Sequence, residues 1–180
     1  RSLAQGTTTD KVFELTKKLS SRVDTPLVYM TYLNVLFKYG YDKFLQNAKD
    51  AGISGVIVPD LPYEEKDELQ SVAEKYDIDV ISLIAPTSED RIKMIANDAK
   101  GFIYTVSSMG VTGMRNEIKT DLQSIVSHIK SVTDVPVAIG FGINKPQQAK
   151  EFSAYADGVI VGSAIVNIVA EHGKDAPEYV

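Results

Sequence analysis

The sequence contains no cysteine. That excludes disulfide bonds, thiolate metal sites and a cysteine nucleophile, and it fits a reducing compartment without demanding one. A basic excess is also missing: 19 Lys and Arg stand against 24 Asp and Glu, for a formal net charge of −5. Nucleic-acid binders usually carry a basic face, so nucleic acid is not an expected partner. No apolar run approaches the length of a membrane span. No cluster of His and carboxylates has metal-ligand spacing. His128 and His172 fall on helical patterns away from strand ends and read as surface residues. The opening run Arg1-Ser2-Leu3-Ala4-Gln5-Gly6 has neither an initiator methionine nor the apolar stretch of a signal peptide. The expectation is a piece of a longer chain.

What is present suits one compact domain over residues 1–180, with 44% hydrophobic residues to build a core. Six runs read as buried parallel strands: Leu27–Tyr32, Gly55–Val58, Asp79–Ile84, Gly101–Val106, Val135–Ile139 and Asp157–Val161. Several are almost continuous Val, Ile and Leu, as parallel strands covered on both faces should be. Helical patterns lie between them. Thr7–Ser21 places Val12, Leu15 and Leu19 on one face. Tyr41–Ala51 places Phe44, Leu45 and Ala48 together and stops at Gly52, a position that suits a left-handed helix end. Glu64–Tyr76 opens with acids after Pro62, and Thr87 to Asp90 resembles a capping box. Asn144 with Pro146, and Ser163 ahead of Ala164–Glu171, look like two further helix starts. The alternation predicts an α/β fold with a parallel sheet.

Two glycine-bearing turns close the last two strands: Gly140-Phe141-Gly142 and Gly162-Ser163. Glycine lets backbone N–H groups approach an anion, and the following helix dipole adds to the attraction. An open doubly wound sheet would carry one such loop early. A pair of them at the end matches a (β/α)8 TIM barrel, whose phosphate site follows strands seven and eight. The visible strands are then three to eight, and two βα units, roughly 60 to 70 residues of a barrel of about 250, are expected ahead of Arg1. Ser107 to Gly113 suits either a loop closing over a ligand or a plain connection. Asp60, between Pro59 and Pro62 at a strand end, suits either catalysis or a turn cap. Tyr104 either lines a pocket or fills a core layer. No pair of carboxylates stands at strand ends for acid–base work.

These segments resemble the α subunits of tryptophan synthase, in order and over the whole chain. The resemblance rests on Pro26 to Asn34, Gly55 to Glu65, Leu83 to Thr87, Phe102 to Gly113, Gly140-Phe141-Gly142 and Gly162-Ser163. It implies retro-aldol cleavage of indole-3-glycerol phosphate to indole and glyceraldehyde 3-phosphate, a cytoplasmic location, and a β subunit in an α2β2 complex. Pyridoxal phosphate would belong to that β subunit, leaving no cofactor on this chain. By the same resemblance, Gly113, Gly142, Gly162 and Ser163 would hold the substrate phosphate. Met30, Ile57, Tyr104 and Phe141 would line the indole pocket, with Thr112 in the closing loop. Asn34, Asp60 and Pro62 would lie towards the β subunit. The family's catalytic Glu and Asp sit on strand two and the loop after it, both upstream of Arg1, so these residues are expected to bind phosphate without turnover. The usual C-terminal helix is expected to be shortened after Val180. A rival reading is another sugar-phosphate barrel such as an epimerase, which should show metal-binding His and Asp at strand ends. A second is a non-catalytic partial barrel that binds a partner.

Overall fold

A computed structural model describes residues 2–106, 115–140 and 142–180, with residues 115–121 described by backbone alone. Strands and helices alternate along the chain and gather into two compact units, Arg1–Ile81 and Ser82–Val180.

The first unit holds a parallel sheet of β1 (Leu27–Met30), β2 (Ile53–Ile57) and β3 (Asp79–Val80), in that order. Parallel neighbours need crossovers. Helices α2 (Leu33–Tyr39) and α3 (Tyr41–Asp50) join β1 to β2, and α4 (Lys66–Lys75) joins β2 to β3. Helix α1 (Thr9–Ser20) leads into β1, its N-terminus capped by the Thr8 hydroxyl, which accepts from the Lys11 N–H at 3.3 Å. All four helices contribute to one core with the sheet, through Phe13, Leu36, Leu45 and Leu69 packed with Val56. Phe44, Leu45 and Ala48 are buried as the periodicity of α3 predicts. Gly52, at φ 85°, ends that helix in the left-handed region, as anticipated. Helix α1 differs from expectation. Its buried residues are Phe13 and Thr16, while Val12, Leu15 and Leu19 stay substantially exposed. The Phe13 ring meets Tyr29, Tyr39 and Phe44 edge-on, with centroids 5.2 to 5.8 Å away, and that cluster decides which face turns inward. Tyr39 fastens the helices further: its hydroxyl donates to Asp10 at 2.5 Å and accepts from Asn47 at 2.9 Å.

The second unit holds β4 (Ser82–Ile84), β5 (Ile103–Val106), β6 (Val137–Gly140) and β7 (Gly158–Val159), again parallel and in sequence order. Helices α5 (Glu89–Asn97), α6 (Arg115–Lys130) and α7 (Pro146–Phe152) connect them, and α8 (Ser163–His172) follows β7. The run Asp79–Ile84 is therefore two strands. Its first half pairs with β2 and its second half with β5. Asp157 ties β7 to β6: its carboxylate accepts from the Val137 N–H at 2.9 Å and from the Lys130 ammonium at 2.7 Å. Two helix starts fall one residue from where the sequence places them. Ser88, not Thr87, precedes α5, and Lys145, not Asn144, precedes α7. Pro146 does occupy the first position of α7, and the Gln148 side chain accepts from the Asn144 and Lys145 N–H groups at 3.0 and 3.1 Å. No helix among the described residues is long and apolar enough to cross a membrane.

Candidate functional site

The carboxyl ends of parallel strands are where α/β folds gather ligand-binding groups. In the first unit, Met30 closes β1 and Ile57 closes β2, and the two are register partners. Neither belongs to the core cluster shared by sheet and helices, whereas Val56 and Val58 do. Side chains alternate along a strand, so Met30 and Ile57 stand on the sheet face turned away from the helices. Met30 is exposed and Ile57 buried.

Asp60 follows β2 and has a defined partner. Its carboxylate accepts from the Leu33 N–H at 2.8 Å. Leu33 is the first residue of α2, and Tyr32 before it makes no side-chain cap of its own. A negative group there satisfies a free helix N–H and complements the dipole. Of the two roles the sequence left open for Asp60, this contact supplies the capping one. It also places Asp60 beside Asn34, the next residue of α2. Asn34, Asp60 and Pro62 are all exposed.

In the second unit, Tyr104 on β5 lies two strand positions from the end, 6% exposed, and burial pushes its phenol above the ordinary tyrosine range. Its ring occupies the space over Gly140, the last residue of β6. A Cβ built at Gly140 would collide with Tyr104 Cε2 and the hydroxyl, and would stand 2.6 Å from Cζ. Sequence reasoning assigned Gly140 to the turn and missed this contact; the signal is a glycine at a strand end one strand away from a buried tyrosine. Gly142 has φ 78°, where glycine is favoured over any L-residue.

Gly162 precedes α8 with open space where a side chain would be. Ser163 is the first residue of the helix, so it is not the cap; no side chain caps this end. The first intrahelical bond runs from the Val166 N–H to the Gly162 carbonyl at 3.1 Å. The N–H groups of Ser163, Ala164 and Ile165 are thus left without an intrahelical acceptor. No acidic residue occupies the first turn to compete for them. Gly162 and Ser163 are exposed, so this end is open to an anion. The remaining sequence-predicted positions, Thr112, Gly113 and Phe141, lie outside the described residues.

The model of the family described as "Tryptophan synthase alpha chain" matches residues 1–180. The alpha chain of Lacticaseibacillus casei is 50% identical over 177 residues, covering 98% of this chain and 66% of that protein. That of Caldanaerobacter subterraneus is 46% identical, covering 95% and 65%. Among solved structures, the alpha subunit from Campylobacter jejuni superposes with a TM-score of 0.90 at 40% identity, over 97% of this chain and 70% of that one. A Pyrococcus furiosus chain from a structure of the tryptophan synthase α2β2 complex gives 0.87 at 35% identity, over 99% and 73%. The chain therefore spans about two thirds of the length of the curated relatives it matches.

Proposed function

The chain belongs to the tryptophan synthase alpha chain family, and on that premise we propose that it is the phosphate-gripping part of a lyase that cleaves indole-3-glycerol phosphate to indole and glyceraldehyde 3-phosphate. The strands β1 and β2, the run containing β3 and β4, and β5, β6 and β7 correspond to strands three to eight of a (β/α)8 barrel. The observation that carries the reading is the open, uncapped start of α8 behind Gly162. Three free N–H groups and a helix dipole suit a phosphate dianion. Gly142 and Gly113 complete the phosphate grip. Tyr104, Phe141, Met30 and Ile57 supply apolar surface for the indole, and Thr112 belongs to the loop that closes over it.

The chemistry needs a proton delivered to indole C3 and another removed from the glycerol hydroxyl beside the breaking bond. Among the described residues, Asp60 is the carboxylate nearest a strand end, and it is committed to the N-terminus of α2. The acid and base are therefore a Glu and an Asp outside these residues. Asn34, Asp60 and Pro62 form an exposed edge that faces a β subunit, in keeping with the α2β2 assembly named for the Pyrococcus furiosus relative. Pyridoxal phosphate resides on that subunit.

Calorimetry with glycerol phosphate tests the binding part. The chain should bind it, and Ser163→Asp should weaken binding about tenfold or more, because like charges ~4 Å apart repel by roughly 1–4 kcal/mol. Unchanged affinity in the variant would remove α8 from the phosphate site.

A further inference from the structure

Strand β1 lies at the outer edge of its sheet, with β2 on one side and no strand on the other among the described residues. The Thr31 N–H donates to the Ile57 carbonyl at 3.0 Å. The N–H groups of successive strand residues point to alternate sides, so those of Val28 and Met30 point to the open edge. Their side chains are 39% and 59% exposed. A groove of about 430 Å³ runs beside this edge, lined by Leu3, Thr8, Val12, Phe13, Met30 and Val35 among others. Its wall joins the residues entering α1 to the carboxyl end of β1. Long apolar edges of this kind invite pairing with another strand.

The handedness of the fold says which strand. The sheet runs β1-β2-β3 in sequence order, and α1, α2, α3 and α4 all feed one core on one face. Parallel crossovers are right-handed in ~98% of cases, so successive strands step in one direction across such a sheet. Helix α1 sits on that same face and leads into β1. A strand delivering the chain into α1 by the same hand must lie against β1 on the side away from β2. Its carboxyl end would then reach the groove, where α1 begins. We propose that the open edge of β1 and its groove are the seat of one further strand, parallel to β1, supplied by the third of the family's length that these residues do not span. The proposal rests on the family reading. The second unit repeats the condition independently: β7 is an outer strand, α8 buries none of its residues, and Val166 and Val169 are at least half exposed.

Hydrogen exchange on the 180-residue chain tests it. The probes are the portions of the Lacticaseibacillus casei alpha chain outside its match to this chain, added as separate polypeptides. One of them should slow exchange at the Val28 and Met30 amides by about tenfold or more. Val28→Lys, which sets a charge against the incoming strand, should weaken that protection, with the parent chain giving the primary result. Unchanged edge amides at saturating probe would overturn the seat. So would concentration-dependent protection without any probe, which would mean that a second copy covers the edge. Indole formation in the same mixtures separates the two readings. Indole without edge protection leaves the lyase and removes the seat; edge protection with every portion present and no indole leaves the seat and removes the lyase.

Discussion

Gly140→Ala is the substitution whose effect follows most directly from the geometry. The backbone at Gly140 does not have a positive φ, so alanine is conformationally acceptable and the added methyl alone is at issue. It would stand 2.6 Å from Cζ of Tyr104 and closer still to Cε2 and the hydroxyl. Carbon atoms in contact prefer ~3.5–4.0 Å. The ring must therefore retreat by roughly 1 Å, yet Tyr104 is 6% exposed and anchored on β5. Overpacking of this kind costs typically about 1–3 kcal/mol, and a rigid ring blocked by backbone belongs near the upper end. We expect a loss of about 2–3 kcal/mol in urea unfolding followed by circular dichroism. At roughly 2–4 °C per kcal/mol for a chain of this size, Tm should fall by about 4–12 °C. The same substitution in a Tyr104→Ala background should cost much less, with a coupling of about 1–2 kcal/mol. If Gly140→Ala stays within about 0.5 kcal/mol of the parent, the ring does not sit where the geometry puts it and the reasoning fails.

Thr105 is fully buried on β5, and its hydroxyl has no hydrogen-bond partner among the described residues. Thr105→Val keeps the shape and removes the unpaired group, so urea unfolding should show a gain of up to about 1 kcal/mol; a loss of that size would reveal a partner. Asp77 adopts φ 53° after α4, and the bonds from the Asp77 and Ile78 N–H groups to Glu74 and Ala73 at 3.2 and 3.1 Å close the helix. Asp77→Val should cost about 1–2 kcal/mol by the same measurement, because a β-branched side chain resists the left-handed region, whereas Asp77→Gly should be tolerated. The Asp157 carboxyl is held below its ordinary value of 3.8 by the Lys130 ammonium and then by the Val137 N–H. A depressed folded value means its contribution is present above the unfolded value and lost as pH falls through the folded one. Stability measured from about pH 5 downward should fall less steeply in Asp157→Asn than in the parent; parallel curves would deny the linkage.

Continuous apolar runs announce strands well, because burial on both faces leaves few polar positions. That is why all six predicted runs contain strand residues. The same continuity hides where a ladder changes partner, so nothing in Asp79–Ile84 marks the division between the strand that joins β2 and the one that joins β5. Helix periodicity behaves likewise. It found the buried face of α3, whose partners are local, but in α1 it ranked the aliphatic stripe Val12, Leu15 and Leu19 above Phe13, whose aromatic partners come from β1, α2 and α3. Helix α2 was not anticipated, since its N-terminus is capped by Asp60 from 27 residues away. At the candidate site, the glycine turns were legible because positive φ and a helix start demand particular residues. The fit of Tyr104 over Gly140 was not, because it depends on strand register rather than on local sequence.

The central claim is that these residues bind substrate while the acid and base of the reaction lie on polypeptide outside them. Indole release from indole-3-glycerol phosphate tests it most directly, using the 180-residue chain with its mass confirmed, alone and with the remaining third of an alpha chain joined to it. General acid and base groups contribute about 10²–10⁴-fold each. The account predicts no indole at an enzymatic rate from the chain alone and release restored in the joined protein. Indole at the full rate from the 180 residues by themselves would contradict it and return Asp60 to consideration as a catalytic group.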